Sequence, residues 1–301
     1  MNMDLRNYNR PFLFFGLSIV IPWVLWFFVG YLSYLPEQPH GLVILYSIIG
    51  LIGLISPAIV ALALILKKPA LREDLFKIAF NFKNVRTVHI LCAVCLMPLS
   101  ILTAQAVSLL FGHSAGQFMI RNGFSFTAGI YPAWFLLTIA PASEEIGWHT
   151  YGTNALYRKM NLFTASLVFA VFWGFWHFPL NFVKGYYQNV VAMEGLLYSV
   201  NFLLSLIPFV LIMNWLYYKT NRNVVVAIVF HITAGFSNEI LNTHPDSKVI
   251  QTILLLVVAA VLLLRNKEMF FNKAESKAIE SIGGAYPGHK SCPVSTLRDN
   301  V

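Results

Sequence analysis

The chain has 301 residues, 57% of them hydrophobic and only 11% charged, with a formal net charge of +8. Soluble domains carry roughly 25% charged residues, so this composition excludes an ordinary soluble enzyme and points to a polytopic membrane protein. The positive balance does not argue for nucleic acid, because the basic residues sit between apolar runs and form no contiguous patch.

The N-terminal segment leads into a run that is too long and too aromatic for a cleaved signal, so a retained first span is expected there. Windows of about 20 apolar residues suit a hydrocarbon core. They predict an all-α polytopic membrane bundle of about eight transmembrane helices, near 11–35, 42–66, 89–111, 131–151, 163–183, 196–218, 224–241 and 249–264. Between the second and third, Leu71, Leu75, Ile78 and Ala79 recur at helical spacing, which predicts a helix lying along the membrane surface. Cys92 and Cys95 have the spacing of a redox motif but lie in an apolar run, and packing is their expected role. Residues 1–265 thus read as one eight-span membrane domain, and 266–301 as a cytoplasmic C-terminal tail, largely disordered beyond Lys277.

Basic residues orient this map. With the N-terminus cytoplasmic, all of the 21 Lys and Arg residues except Arg121, Lys184 and Lys248 fall on the cytoplasmic side, as the positive-inside rule requires. Both termini are therefore expected inside a plasma membrane, and a bacterial one is the expected setting. The two halves show no inverted repeat, which counts against a secondary transporter.

Four ionisable groups stand where lipid-spanning helices should be apolar. Glu144 and Glu145 interrupt the fourth window, His177 lies in the fifth and His231 in the seventh. A carboxylate at bilayer depth costs roughly 2.5–3.5 kcal/mol on insertion scales, so such residues face protein or a wet cavity and mark candidate sites. Pro141 and Ser143 suggest a helix that restarts just before the acid pair, with Ser143 as its cap. His149 is four residues beyond Glu145 and shares its face, Trp173 lies one turn before His177, and Asn238 is seven residues beyond His231. At about 1.5 Å per residue, the window boundaries put His177 and His231 roughly 10 Å apart in depth. Asn201 and Asn214 read as interhelical hydrogen-bonding residues. Trp23, Trp26, Tyr131, Trp134, Tyr217 and Tyr218 read mostly as interfacial belts.

Three segments, Glu144-Glu145-Ile146-Gly147-Trp148-His149, Trp173-Gly174-Phe175-Trp176-His177 and His231-Ile232-Thr233-Ala234-Gly235, resemble the three motifs of the CPBP or Abi family. That family comprises the type II CAAX prenyl proteases and the bacteriocin-processing and immunity proteins. The likeness runs from Ala140 to Asn238, and it implies intramembrane peptide-bond hydrolysis on a membrane-associated peptide or protein substrate. By it, Glu144 would activate water, His177 would hold that water, and His231 with a following amide side chain would stabilise the oxyanion. Glu145 would support the site from the neighbouring position. His149 stands in place of the motif's arginine, Trp173 in place of its phenylalanine and Gly235 in place of its asparagine, with Asn238 a candidate substitute for the last. A divalent metal such as zinc on Glu145, His177 and His231 is the alternative way to activate the water. The rival reading is a catalytically inactive immunity or scaffold protein of the same fold. The substrate and the oligomeric state are not legible.

Overall fold

A computed structural model describes residues 5–123 and 129–273, and the tail beyond Lys273 lies outside them. The described residues are almost entirely helical: α1 (Pro11–Ser33), α2 (His40–Leu66), α3 (Pro69–Phe80), α4 (Thr87–Ser108), α5 (Ala133–Gly147), α6 (Thr153–Tyr157), α7 (Leu162–Trp176), α8 (Tyr187–Glu194), α9 (Leu196–Lys219), α10 (Val224–Ile240), α11 (Pro245–Arg265) and α12 (Lys267–Phe271). Helices are what apolar runs must form in lipid, where every backbone polar group needs an internal partner. Local chemistry sets the starts. Pro11, Pro69 and Pro245 occupy first-turn positions, where a missing N–H costs nothing. The side chains of Asn161 and Asn223 cap α7 and α10 by accepting from Thr164 N and Val226 N.

Six segments are long and apolar enough to cross a membrane: Pro11–Ser33, His40–Leu66, Thr87–Phe111, Leu162–Phe182, Leu196–Lys219 and Pro245–Arg265. They coincide with six of the eight windows. The other two windows hold the acid pair and His231. The fourth is α5, a five-residue π turn at Trp148–Gly152, and α6 in succession. The seventh is α10, apolar but only 17 residues long, about 25 Å against a core of about 30 Å. This helix is short because its ends stop inside protein. Asn223 and Glu239 are fully buried, and the far end is tied down by an antiparallel bridge between Ile120 and Leu241. Around it pack α4, α5 and α9, while α2 lies along α1 and α5, and α11 along α4 and α9.

The helix expected between the second and third windows is present as α3. Leu71 and Ile78 are buried under it, and Phe76 and Phe80 stack outward, 66% and 72% exposed. Its Asp74 accepts from Tyr8 Oη at 2.5 Å and pairs with Arg222, in the turn between α9 and α10. Burial pushes the Tyr8 hydroxyl well above its ordinary range, so it stays a donor to Asp74.

Two expectations fail. The helix does not restart at Ser143: α5 runs unbroken through Pro141, and Ser143 Oγ donates back to Ala140 O. The glutamates therefore lie in the last turn of α5, with no helix N-terminus beside them. Trp26, Tyr217 and Tyr218 are not belt residues either, being at most 5% exposed. Each uses its polar tip inside the protein, on Gly50 O, His149 O and Asn154 Oδ1 respectively, as buried aromatic donors must.

Gly147 fixes how closely α5 approaches α2. A Cβ there would sit 2.9 Å from the Pro57 carbonyl carbon and 3.1 Å from Ala58 N, backbone atoms that cannot swing aside. Gly147→Ala is expected to cost about 1–3 kcal/mol, seen as a lower melting temperature of the purified protein in detergent.

Candidate active site

Consecutive residues of a helix point about 100° apart, so the two glutamates meet different surroundings. Glu144 lies on a cavity wall. Its Oε2 accepts from Trp173 Nε1 at 2.9 Å and, more weakly, from Trp148 Nε1 at 3.4 Å. Two indoles from different elements thus hold one carboxylate oxygen and turn the other away from them. Trp148 is four residues after Glu144, on the same helix face, and that spacing was the available sign of its role.

Glu145 is fully buried and is not among the cavity-lining residues. One of its oxygens meets His149 Nδ1, and the other meets His231 Nδ1 at 2.7 Å. A hydrogen-bond chain runs behind His149. Ser166 Oγ donates to Leu162 O, so it accepts from Asn214 Nδ2 at 2.8 Å. That turns Asn214 Oδ1 toward His149 Nε2, 3.0 Å away. Both ring nitrogens of His149 therefore face oxygen atoms, one on Glu145 and one on Asn214. Tyr217 Oη donates to His149 O at 2.7 Å, and Asn154 Nδ2 does so at 2.8 Å, which pins the π turn at a place where such bulges accompany functional sites. Asn214 proves to belong to this network; a lone asparagine in an apolar span carried no sign beyond interhelical bonding.

His177 caps the C-terminal end of α7, just before a 3₁₀ turn at Phe178–Phe182. Its Nδ1 donates to Trp173 O at 2.7 Å, which leaves Nε2 as an acceptor. His177 and His231 both pack on the Trp173 ring, at centroid distances of 5.4 and 5.2 Å. Both rings therefore reach one indole, although counting from the window boundaries sets them far apart.

Glu144, Trp173, His177, His231, Gly235 and Asn238 line one cavity of about 160 Å³, walled by apolar side chains including Leu136, Leu206 and Phe209. Gly235 keeps this space open, since a Cβ there would meet Leu137 Cδ2 at 3.3 Å. Asn238, one turn further along α10, reaches the same cavity.

The zinc set fits poorly. Glu145 has both oxygens on imidazole nitrogens, and Glu145, His177 and His231 are not a group whose ligand atoms all lie within 4.8 Å of one another. Open catalytic zinc sites present three converging protein ligands.

The Rce1-like family model, type II CAAX prenyl endopeptidase, matches residues 126–237. That stretch contains Glu144, Glu145, Trp173, His177 and His231 and stops one residue before Asn238. The chain is also similar to CAAX prenyl protease 2 of Methanococcus maripaludis, 37% identical over 269 residues, which cover 89% of this chain and 97% of that protein.

Proposed function

The chain belongs to the Rce1-like type II CAAX prenyl endopeptidases, and from that premise we propose that it hydrolyses a peptide bond near the C-terminus of a lipid-modified membrane protein, with water activated by Glu144. The observation that carries this reading is the position of Glu144. It is a buried carboxylate on a cavity wall, oriented by two indole donors and sharing the cavity with His177 and His231.

The water lies between Glu144 and Nε2 of His177, which accepts one of its hydrogens. Glu144 takes the other proton as the oxygen attacks the scissile carbonyl carbon. The negative charge on the carbonyl oxygen is met by the amide of Asn238 and by Nε2–H of His231 as an imidazolium, whose Nδ1–H donates to Glu145. Glu144 then passes its proton to the leaving nitrogen, and the C–N bond breaks. The apolar walls take the lipid chain and exclude bulk water. The face carrying Tyr8, Lys68 and Arg222 is cytoplasmic, and the face carrying Arg121, Lys184 and Lys248 is its opposite.

The test is cleavage of a farnesylated CAAX peptide by the purified protein in detergent, with product masses giving the bond cut. Cleavage is expected, with the unprenylated peptide a poorer substrate. Asn238→Ala should lower kcat by about 10²–10³, the size of one lost oxyanion donor. Chelation should not abolish cleavage; cleavage lost to chelator and restored by zinc in a His113→Gln, His244→Gln protein as well would move water activation to a metal. Gly235, where the motif has asparagine, favours the inactive immunity or scaffold reading, and no cleavage by well-folded protein would establish it.

A further inference from the structure

We propose a second, metal-binding site at the cavity mouth, formed by His113, His244 and Asp246 and suited to a zinc-like divalent ion. One ligand atom from each of the three lies within 4.8 Å of the others, an arrangement that occurs once among the described residues. His113 follows α4, while His244 and Asp246 flank Pro245 at the start of α11.

The spacings are those of coordination. His113 Nε2 lies 3.3 Å and His244 Nδ1 3.6 Å from Asp246 Oδ2. Charge-assisted N–H···O bonds run at about 2.7–2.9 Å, so both contacts are too long for good hydrogen bonds. A tetrahedral ion with bonds of about 2.0–2.2 Å sets its ligands about 3.3–3.6 Å apart. His244 Nδ1 accepts from Asp246 N at 3.2 Å, so its lone pair is directed at the Asp246 end of the cluster. An ion would displace that contact and leave a first-turn amide to water. Tyr198 Oη donates to Asp246 Oδ1 at 2.8 Å, holding the carboxylate with Oδ2 toward the rings, as outer partners of metal carboxylates do. The two rings pack 4.3 Å apart. Two imidazoles and one carboxylate suit zinc better than calcium or magnesium. His244 also borders a polar cleft lined by Ser114, Arg121, Glu194, Asn242 and Lys248.

Pro245 and Lys248, one residue before and two after Asp246, line the catalytic cavity. Bound metal therefore clamps the segment after α4 to the helix end that borders the cavity mouth.

Tag-free protein stripped of metal should bind one equivalent of Zn²⁺ in a calorimetric titration. His113→Gln, His244→Gln and Asp246→Asn should each weaken that binding at least tenfold, and His177→Ala should retain it. Cobalt on the unmutated protein should give the intense visible bands of a four-coordinate ion, a readout that needs no variant to fold. No binding, binding that survives all three changes, or an equivalent lost in His177→Ala would overturn the proposal.

Discussion

Glu144→Gln is expected to lower kcat for peptide cleavage by about 10³–10⁴, the upper range for loss of a general base acting directly on the attacking water. The glutamine is nearly isosteric, and its carbonyl oxygen still accepts from Trp173 and Trp148, the two donors now on Oε2. The fold and KM should therefore change little, and the loss should appear in single-turnover rates. Glu144→Ala is a different experiment. It leaves two buried indole N–H groups without their acceptor, at about 1–3 kcal/mol each, and should lower the melting temperature as well as the rate. A Glu144→Gln protein that cleaves at the unmutated rate would remove this carboxylate from the chemistry.

How much of this was legible depends on what kind of information each residue carries. The six long apolar helices follow from composition alone, because lipid demands apolar runs of a set length. The two windows that depart from that length are α5 with its π turn and α10, and these are also the two that carry the glutamates and His231. The ends of α10 are fixed by Asn223, Arg222 and the Ile120–Leu241 bridge, tertiary features that no local window contains. The same gap explains the tyrosines. Tyr217 and Tyr218 sit near a span end in sequence, where belts occur, yet that end is covered by the π turn and α6. Motif spacing grouped Glu144, His177 and His231, and the fold brings all three to one cavity. It did not divide the labour between the glutamates, because adjacency in sequence hides the rotation that sends one carboxylate to the cavity and the other to two imidazoles.

That rotation leads to the largest expected effect on stability. Glu145 is fully buried, and its charge is met by His149 and His231 alone among the contacts its oxygens make. Removing one partner of such a pair leaves an uncompensated charge and costs about 3–5 kcal/mol, whereas replacing both ends by groups of similar shape costs far less. His149→Leu should therefore be among the most destabilising single changes in the bundle, since it also strands Asn214 Oδ1 and removes the ring that packs on Tyr217. Adding Glu145→Gln to it should recover part of the loss, with a coupling of about 1–3 kcal/mol. Activity should not recover with stability. The imidazolium of His231, which alone carries a hydrogen on both ring nitrogens, needs the Glu145 carboxylate as its counter-charge, so the double variant should be folded and nearly inactive. Thermal unfolding in detergent and peptide cleavage, measured on the two single variants and the double, separate the two roles. Strictly additive melting shifts would mean that Glu145 and His149 do not stabilise one another.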